Sequence, residues 1–255
     1  SLHSGRGYHL NYYAINALLA RICQYAGEHD KAASLAKNIC EWGGEWTPYF
    51  DDSQFWMLEG VTDWNKKDGL RLPYGLIFAV NNKDIFEEAE IATYFPVENR
   101  GGAGEDEGSG EIVNNQLLVV NRDEIFNHPV FGDESLMDYR STLLIYQVGG
   151  TIPVSGKWYA STDADIRAKN LAQLPVLRVS EMYYIQAETY ARNGDYASAA
   201  QIFNTMRSNR GMWESMVDIK SWDDFVRELV ADARREWISE GQLFYLYKRL
   251  GNKVK

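Results

Sequence analysis

Cysteine is almost absent from this 255-residue chain, with only Cys23 and Cys40. That excludes a disulfide scaffold and a cysteine-rich zinc module. Histidine is scarce too, and His3, His9, His29 and His128 form no HxH or HxxxH pair. Basic residues number 26 against 36 acidic ones, a net charge of −10, and the densest basic groups are pairs such as Lys66-Lys67 and Arg234-Arg235. Phosphate binding needs clustered Lys and Arg, so nucleic acid and anionic membrane surfaces are set aside. No run approaches the roughly 18 consecutive apolar residues of a membrane-spanning helix. Ser1 to Gly7 lack the basic-then-apolar pattern of a signal peptide. The expectation is a chain with no address of its own, either never present or already removed. No GxSxG, HExxH or P-loop occurs, Gly101 to Gly104 neither follows a clear strand nor opens a helix, and no carboxylates fall in a recognisable glycosidase pattern.

What the chain does contain is helical periodicity at both ends. Leu10, Tyr13, Ala14, Ala17, Leu18 and Arg21 follow helical spacing, Gly27 ends that run, and Ala32, Leu35, Ala36 and Ile39 resume it. Residues 180–207 repeat the plan. Ser180 is the expected N-cap, Met182, Ile185, Ala187 and Tyr190 follow, and Asn193-Gly194-Asp195 forms the turn before Ala199, Ile202, Phe203 and Met206. Aligning Gly27 with Gly194 superposes Ala20 on Ala187 and Ala32 on Ala199. Small residues at those offsets let two helices approach closely, as in tetratricopeptide hairpins. A last helical segment runs from about Trp222 to Leu250, interrupted at Gly241.

Residues 42–175 are irregular. They hold Pro48, Pro73, Pro96, Pro129 and Pro153 and short apolar runs at 76–80 and 117–120, which predicts loops with a few short strands or helical turns. The stretch from Asn99 to Glu111 mixes glycine with acid and reads as an exposed, mobile loop. Glu105, Asp106, Glu107 and Glu111 match no EF-hand spacing, so a solvated acidic loop is expected and no metal. In an antiparallel hairpin Cys23 and Cys40 are offset by about nine residues, roughly 13 Å at helical rise. A disulfide requires Cα atoms within about 7 Å, so two buried free thiols are expected and no cofactor.

Three stretches together resemble the SusD/RagB family of outer-membrane lipoproteins. The first runs from Tyr8 to Arg21 and on through Gly27 to Lys31-Ala32. The second is Leu174-Pro175-Val176-Leu177-Arg178-Val179-Ser180-Glu181, continuing to Ala187-Glu188, Asn204 and Arg207. The third is Ala233-Arg234-Arg235-Glu236-Trp237, Glu240-Gly241 and Lys248-Arg249-Leu250-Gly251. They occur in family order and cover about half of the residues. Gln242, Leu243 and Leu246 depart from the family pattern, and its N-terminal part, with signal peptide, lipid-carrying cysteine and first repeats, is missing. The resemblance implies a mostly α, SusD-like domain over 1–255 lacking its N-terminal part, with tetratricopeptide-like helical repeats at 8–41 and 180–250 and an irregular variable region at 42–175. It implies non-catalytic glycan capture at the cell outer membrane, the parent protein lipid-anchored, with hand-over to a SusC-like TonB-dependent transporter. A tetratricopeptide-type protein-interaction scaffold is the alternative, and a glycoside hydrolase the third.

The resemblance directs attention to the variable region, which is rich in flat rings. Aromatic faces cover the apolar C–H faces of sugars at small entropic cost. Trp46, Trp56, Trp64, Tyr74 and Trp158 are the candidate glycan-binding residues. Trp46 and Trp64 stand out because each adjoins polar or turn residues, Thr47-Pro48 and Asn65-Lys66. Each ring could instead fill the core. Arg178, Glu181, Arg235, Glu236 and Glu240, charged groups beside apolar helix faces, are expected to be structural ion pairs or caps; no catalytic residue is assigned.

Overall fold

The computed structural model describes residues 10–42, 75–82, 95, 117–148, 151–158 and 173–251. In chain order the elements are α1 (Tyr12–Tyr25), α2 (His29–Cys40), β1 (Leu76–Asn81), α3 (Arg122–Phe126), β2 (Asn127–His128), β3 (Gly132–Asp133), α4 (Tyr139–Leu143), β4 (Ile145–Val148), β5 (Ile152–Ser155), β6 (Gln173–Arg178), α5 (Val179–Arg192), α6 (Tyr196–Asn209), α7 (Trp222–Glu236) and α8 (Gln242–Leu250). Helices dominate, as the periodicity predicts. The chain divides into two compact units, one of residues 1–55, 74–80 and 174–255, the other of residues 56–73 and 81–173.

The first unit is helical. Asn11 starts α1 by accepting a 2.9 Å hydrogen bond from the Ala14 amide at Oδ1. The helix ends in a Schellman motif: the Gly27 amide donates to the Gln24 carbonyl and the Glu28 amide to the Cys23 carbonyl. The end of α5 repeats these bonds, from Gly194 to Ala191 and from Asp195 to Tyr190. Gly27 and Gly194 have φ of +82° and +80°, a conformation that costs a residue with a Cβ. Asp195 then caps α6, its Oδ1 accepting from the Ser198 amide at 3.1 Å. One residue thus closes one helix and opens the next, which is why the turn is so short.

The matched alanines lie where the spacing predicts. Ala20, Ala32, Ala187 and Ala199 are all fully buried. Without long side chains between them α1 packs on α2 and α5 on α6, while α2 packs on α5 and so joins the two hairpins. Met182 and Ile185 of α5 enter a core with Ala14, Ala17, Ala36 and Ile39. Tyr184, Ala187 and Ala191 enter a second core with Phe203, Phe225 and Leu229. Helix α5 is thus buried on two sides, and the polar residues this encloses include Glu181 and Glu188, both hydrogen-bonded. β1 pairs with β6, which runs without a loop into α5.

One expectation changes in detail. The boundary residue of α5 is Arg178, in extended conformation and making no side-chain cap. Ser180 lies inside the first turn, and its buried hydroxyl makes no hydrogen bond; strand and helix are continuous here, so there is no loop end for a serine to cap. The segment 222–250 is interrupted at Gly241, as the sequence predicts: it is two helices, parted by a turn in which Ser239 and Gly241 take positive φ. Both cysteines are buried free thiols, as the offset predicts.

In the second unit β4 and β5 pair antiparallel from Ile145↔Ser155 to Val148↔Ile152. Asp138 caps α4 and also holds the fully buried Arg140, with Nε to Oδ1 and Nη2 to Oδ2 both at 2.9 Å. The acidic loop at 99–111 lies outside the described residues. No helix among the described residues is long and apolar enough to cross a membrane.

A Cβ built on Gly194 meets nothing within 4 Å, so only backbone strain opposes a side chain there. Gly194→Ala should therefore cost about 1–2 kcal/mol in urea unfolding, and an unchanged midpoint would contradict the role given to the turn.

Candidate functional site

Trp46, Trp56, Trp64 and Tyr74 lie outside the described residues. Trp158 is described, and it is a packing residue: 4% exposed, with the Phe95 ring 6.3 Å away. A ring enclosed in this way presents no face to a sugar. Trp42 packs on Tyr13 of α1, their ring centroids 4.0 Å apart.

Within the first unit lies a cavity of about 340 Å³, a size suited to a small ligand. α1 contributes Arg21, Ile22, Gln24 and Tyr25, α5 contributes Glu181 and Tyr184, and α8 contributes Gln242, Tyr245, Leu246 and Arg249. Trp237 closes one wall. Helical spacing places the α8 residues on one face, and the turn at Ser239 and Gly241 aims that face back toward α1 and α5.

Ion pairs between residues distant in sequence fix the walls. Arg21 donates from Nε and Nη2 to the two carboxylate oxygens of Glu181 at 2.5 and 2.6 Å, and Nη2 also donates to the Val176 carbonyl at 2.7 Å. Burial alone would lower the Arg21 pKa, but its bonds to Glu181 and that carboxylate's charge hold it above the ordinary arginine value. Glu188 is fully buried and joins three helices. It accepts from Gln24 of α1 at 3.0 Å, from Arg192 of its own helix at 2.8 and 2.9 Å, and from Arg249 of α8 at 2.6 Å. Arg249 also lies 5.8 Å from the Tyr25 ring centroid. Burial raises the Tyr25 phenol pKa above its usual value despite Arg249.

Of the charged residues singled out in the sequence, Arg178, Glu181, Glu236 and Glu240 form ion pairs, while Arg235 is buried and donates from Nη1 to the Met212 sulfur at 3.5 Å. Arg178 meets Glu240 through Nη2 at 2.7 Å, and Arg210 meets Glu236 at 3.0 Å. Tyr184 donates to Asp232 at 2.5 Å. Among the described residues no group of three His, Cys, Asp or Glu side chains could hold a metal ion. Chemically, the cavity offers flat rings beside guanidinium and amide donors. Sequence inspection missed Arg21, Gln24 and Arg249 as wall residues because their partners lie about 60 to 160 positions away, with no local spacing to mark them.

No family model and no curated protein matches the chain. Solved structures do. A SusD-like carbohydrate binding protein from Bacteroides vulgatus superposes with a TM-score of 0.59 at 16% identity, over 97% of this chain and 47% of that one. A SusD superfamily protein from Bacteroides fragilis gives 0.60 at 18%, over 99% and 52%. A laminarin binding SusD-like protein gives 0.57 at 15%, over 94% and 54%. The chain has the SusD-like fold, and it spans about half the length of the solved structures it matches.

Without Glu188, Arg192 and Arg249 are left beside a buried void. Glu188→Ala should lower stability by about 3–5 kcal/mol, read by chemical denaturation. A loss under about 1 kcal/mol would show that the three helices do not depend on this carboxylate.

Proposed function

We propose that the chain is the helical and loop-bearing part of a non-catalytic glycan-binding protein that captures oligosaccharide at a bacterial cell surface. The observation that carries this reading is the SusD-like fold, matched along 92% or more of the chain by structures that include a SusD-like carbohydrate binding protein, a surface glycan-binding protein and a laminarin binding protein. The helices supply a rigid frame, and aromatic side chains of the variable region, Trp46 and Trp64 foremost, supply the stacking faces. The arginine-held state of Glu181 and Glu188 supports a binding role over a hydrolytic one. Lipid anchoring of the parent protein in the outer membrane and delivery to a SusC-like TonB-dependent transporter complete the proposal.

Titration calorimetry against laminarin and a panel of bacterial and plant polysaccharides tests it. At least one glycan should bind without any rise in reducing ends on incubation. Trp46→Ala combined with Trp64→Ala should weaken that binding tenfold or more in a protein whose circular dichroism is unchanged. Binding unaltered by the double substitution would remove those two residues from the site. Turnover of the glycan would overturn the non-catalytic reading.

A further inference from the structure

Between α6 and α7 the chain forms no helix or strand, yet its burial alternates. Ser215, Val217 and Ile219 are buried, while Glu214, Met216, Asp218 and Lys220 are exposed. A period of two belongs to an extended chain with one face on a core. Val217 and Ile219 do enter the core that Phe203 of α6 and Phe225 of α7 share.

Side chains of α6 hold one edge of this segment. The Val217 amide donates to Asn204 Oδ1 at 2.8 Å, and the Val217 carbonyl accepts from Asn204 Nδ2 at 3.0 Å. The Ser215 carbonyl accepts from Nε of the buried Arg207 at 2.6 Å. Asn204 thus pairs with Val217 as a neighbouring strand would. In an extended chain the N–H and C=O groups of successive residues point to opposite edges. The backbone groups of Glu214, Met216 and Asp218 therefore lie along the other edge. None of them makes a hydrogen bond among the described residues. A row of unpaired groups on a fixed extended segment is a template for one more strand.

The side chains on the exposed face decide which strand fits. Glu214 and Asp218 flank Met216, which is 42% exposed. Glu214 has no ion pair among the described residues. Asp218 meets Lys220 at 2.8 Å, but both side chains are largely exposed, and such a pair contributes little. A second copy of this chain fits poorly. Antiparallel pairing about Met216 would set Glu214 of one copy opposite Asp218 of the other, and like charges directly opposed destabilise a strand pair. A basic strand gains at the same two places, and the net charge of −10 attracts it.

We propose that residues 214–218 bind an extended, basic segment of a partner protein by strand addition. The added strand runs antiparallel and exchanges backbone hydrogen bonds with Glu214, Met216 and Asp218. It places Lys or Arg opposite Glu214 and Asp218, and an apolar residue opposite Met216.

Fluorescence anisotropy on the 255-residue chain tests this with short fluorescein-labelled peptides. The first has two lysines flanking a valine at alternate positions of an otherwise threonine sequence. In the second, glutamates replace the lysines. The third is the first peptide N-methylated at its lysine and valine amides, and the fourth is N-methylated at the intervening threonines instead. The first and fourth should bind, and the second and third should bind at least tenfold more weakly. Glu214→Lys combined with Asp218→Lys should reverse the preference between the first two peptides, with circular dichroism unchanged. Amide exchange tests the same edge without substitution. The Met216 and Asp218 amides should exchange freely in the chain alone and at least tenfold more slowly with the first peptide. Failure of that peptide to bind overturns the proposal. So does equal binding of the third, which would reduce the site to charge attraction. A dimer of the free chain, seen by light scattering, in which those two amides are already protected would put a second copy on the edge and overturn it as well.

Discussion

Glu188 is the group on which the helical unit turns. A carboxylate with no solvent exposure carries a large desolvation cost unless its charge is met and its oxygens are hydrogen-bonded. Here Gln24, Arg192 and Arg249 meet it from α1, α5 and α8. The arrangement ties the start of the chain to its end through one buried atom pair. Arg21 with Glu181 adds a second bond between α1 and α5, and Arg178 with Glu240 a third, from the start of α5 to the turn before α8. Such pairs specify a single alignment of neighbouring helices even where apolar packing would tolerate several.

The close approach that brings these groups together comes from small residues. Alanine at 14, 17, 20, 32, 36, 187 and 199 is fully buried in each case. Larger side chains there would push the helices apart and put Gln24 out of reach of Glu188. The two hairpins share more than size. Their Schellman turns use the same bonds at Gly27 and Gly194, so the repeat is a repeat of backbone chemistry as well as of spacing.

Most of this frame was legible in the sequence, because helices, glycine-ended turns and small-residue contacts are local signals. The start of α5 was misplaced by two residues, since the strand running straight into it removes the loop from which an N-cap is read. The ion pairs could be named as structural but not matched, because Arg21 to Glu181 spans 160 residues and no periodicity connects them. The cavity was invisible for the same reason: it is made by α1 and α8 meeting across α5. Trp158 shows the opposite failure. Its composition-based promise as a stacking ring is undone by burial against Phe95, a contact between positions 63 residues apart. The remaining aromatic candidates, Trp46, Trp56, Trp64 and Tyr74, lie outside the described residues, and the case for them rests on ring chemistry and on the SusD-like fold.

On these contacts α1, α2, α5 and α6 are one cooperative frame and not two hairpins side by side. Native-state hydrogen exchange followed by mass spectrometry at increasing urea tests this. The slowest amides of α1 and of α5 should open with the same free energy and the same urea dependence, because Glu188 and the alanine contacts break together. An α1–α2 hairpin that exchanges through its own, lower-energy opening while α5 and α6 stay protected would contradict it.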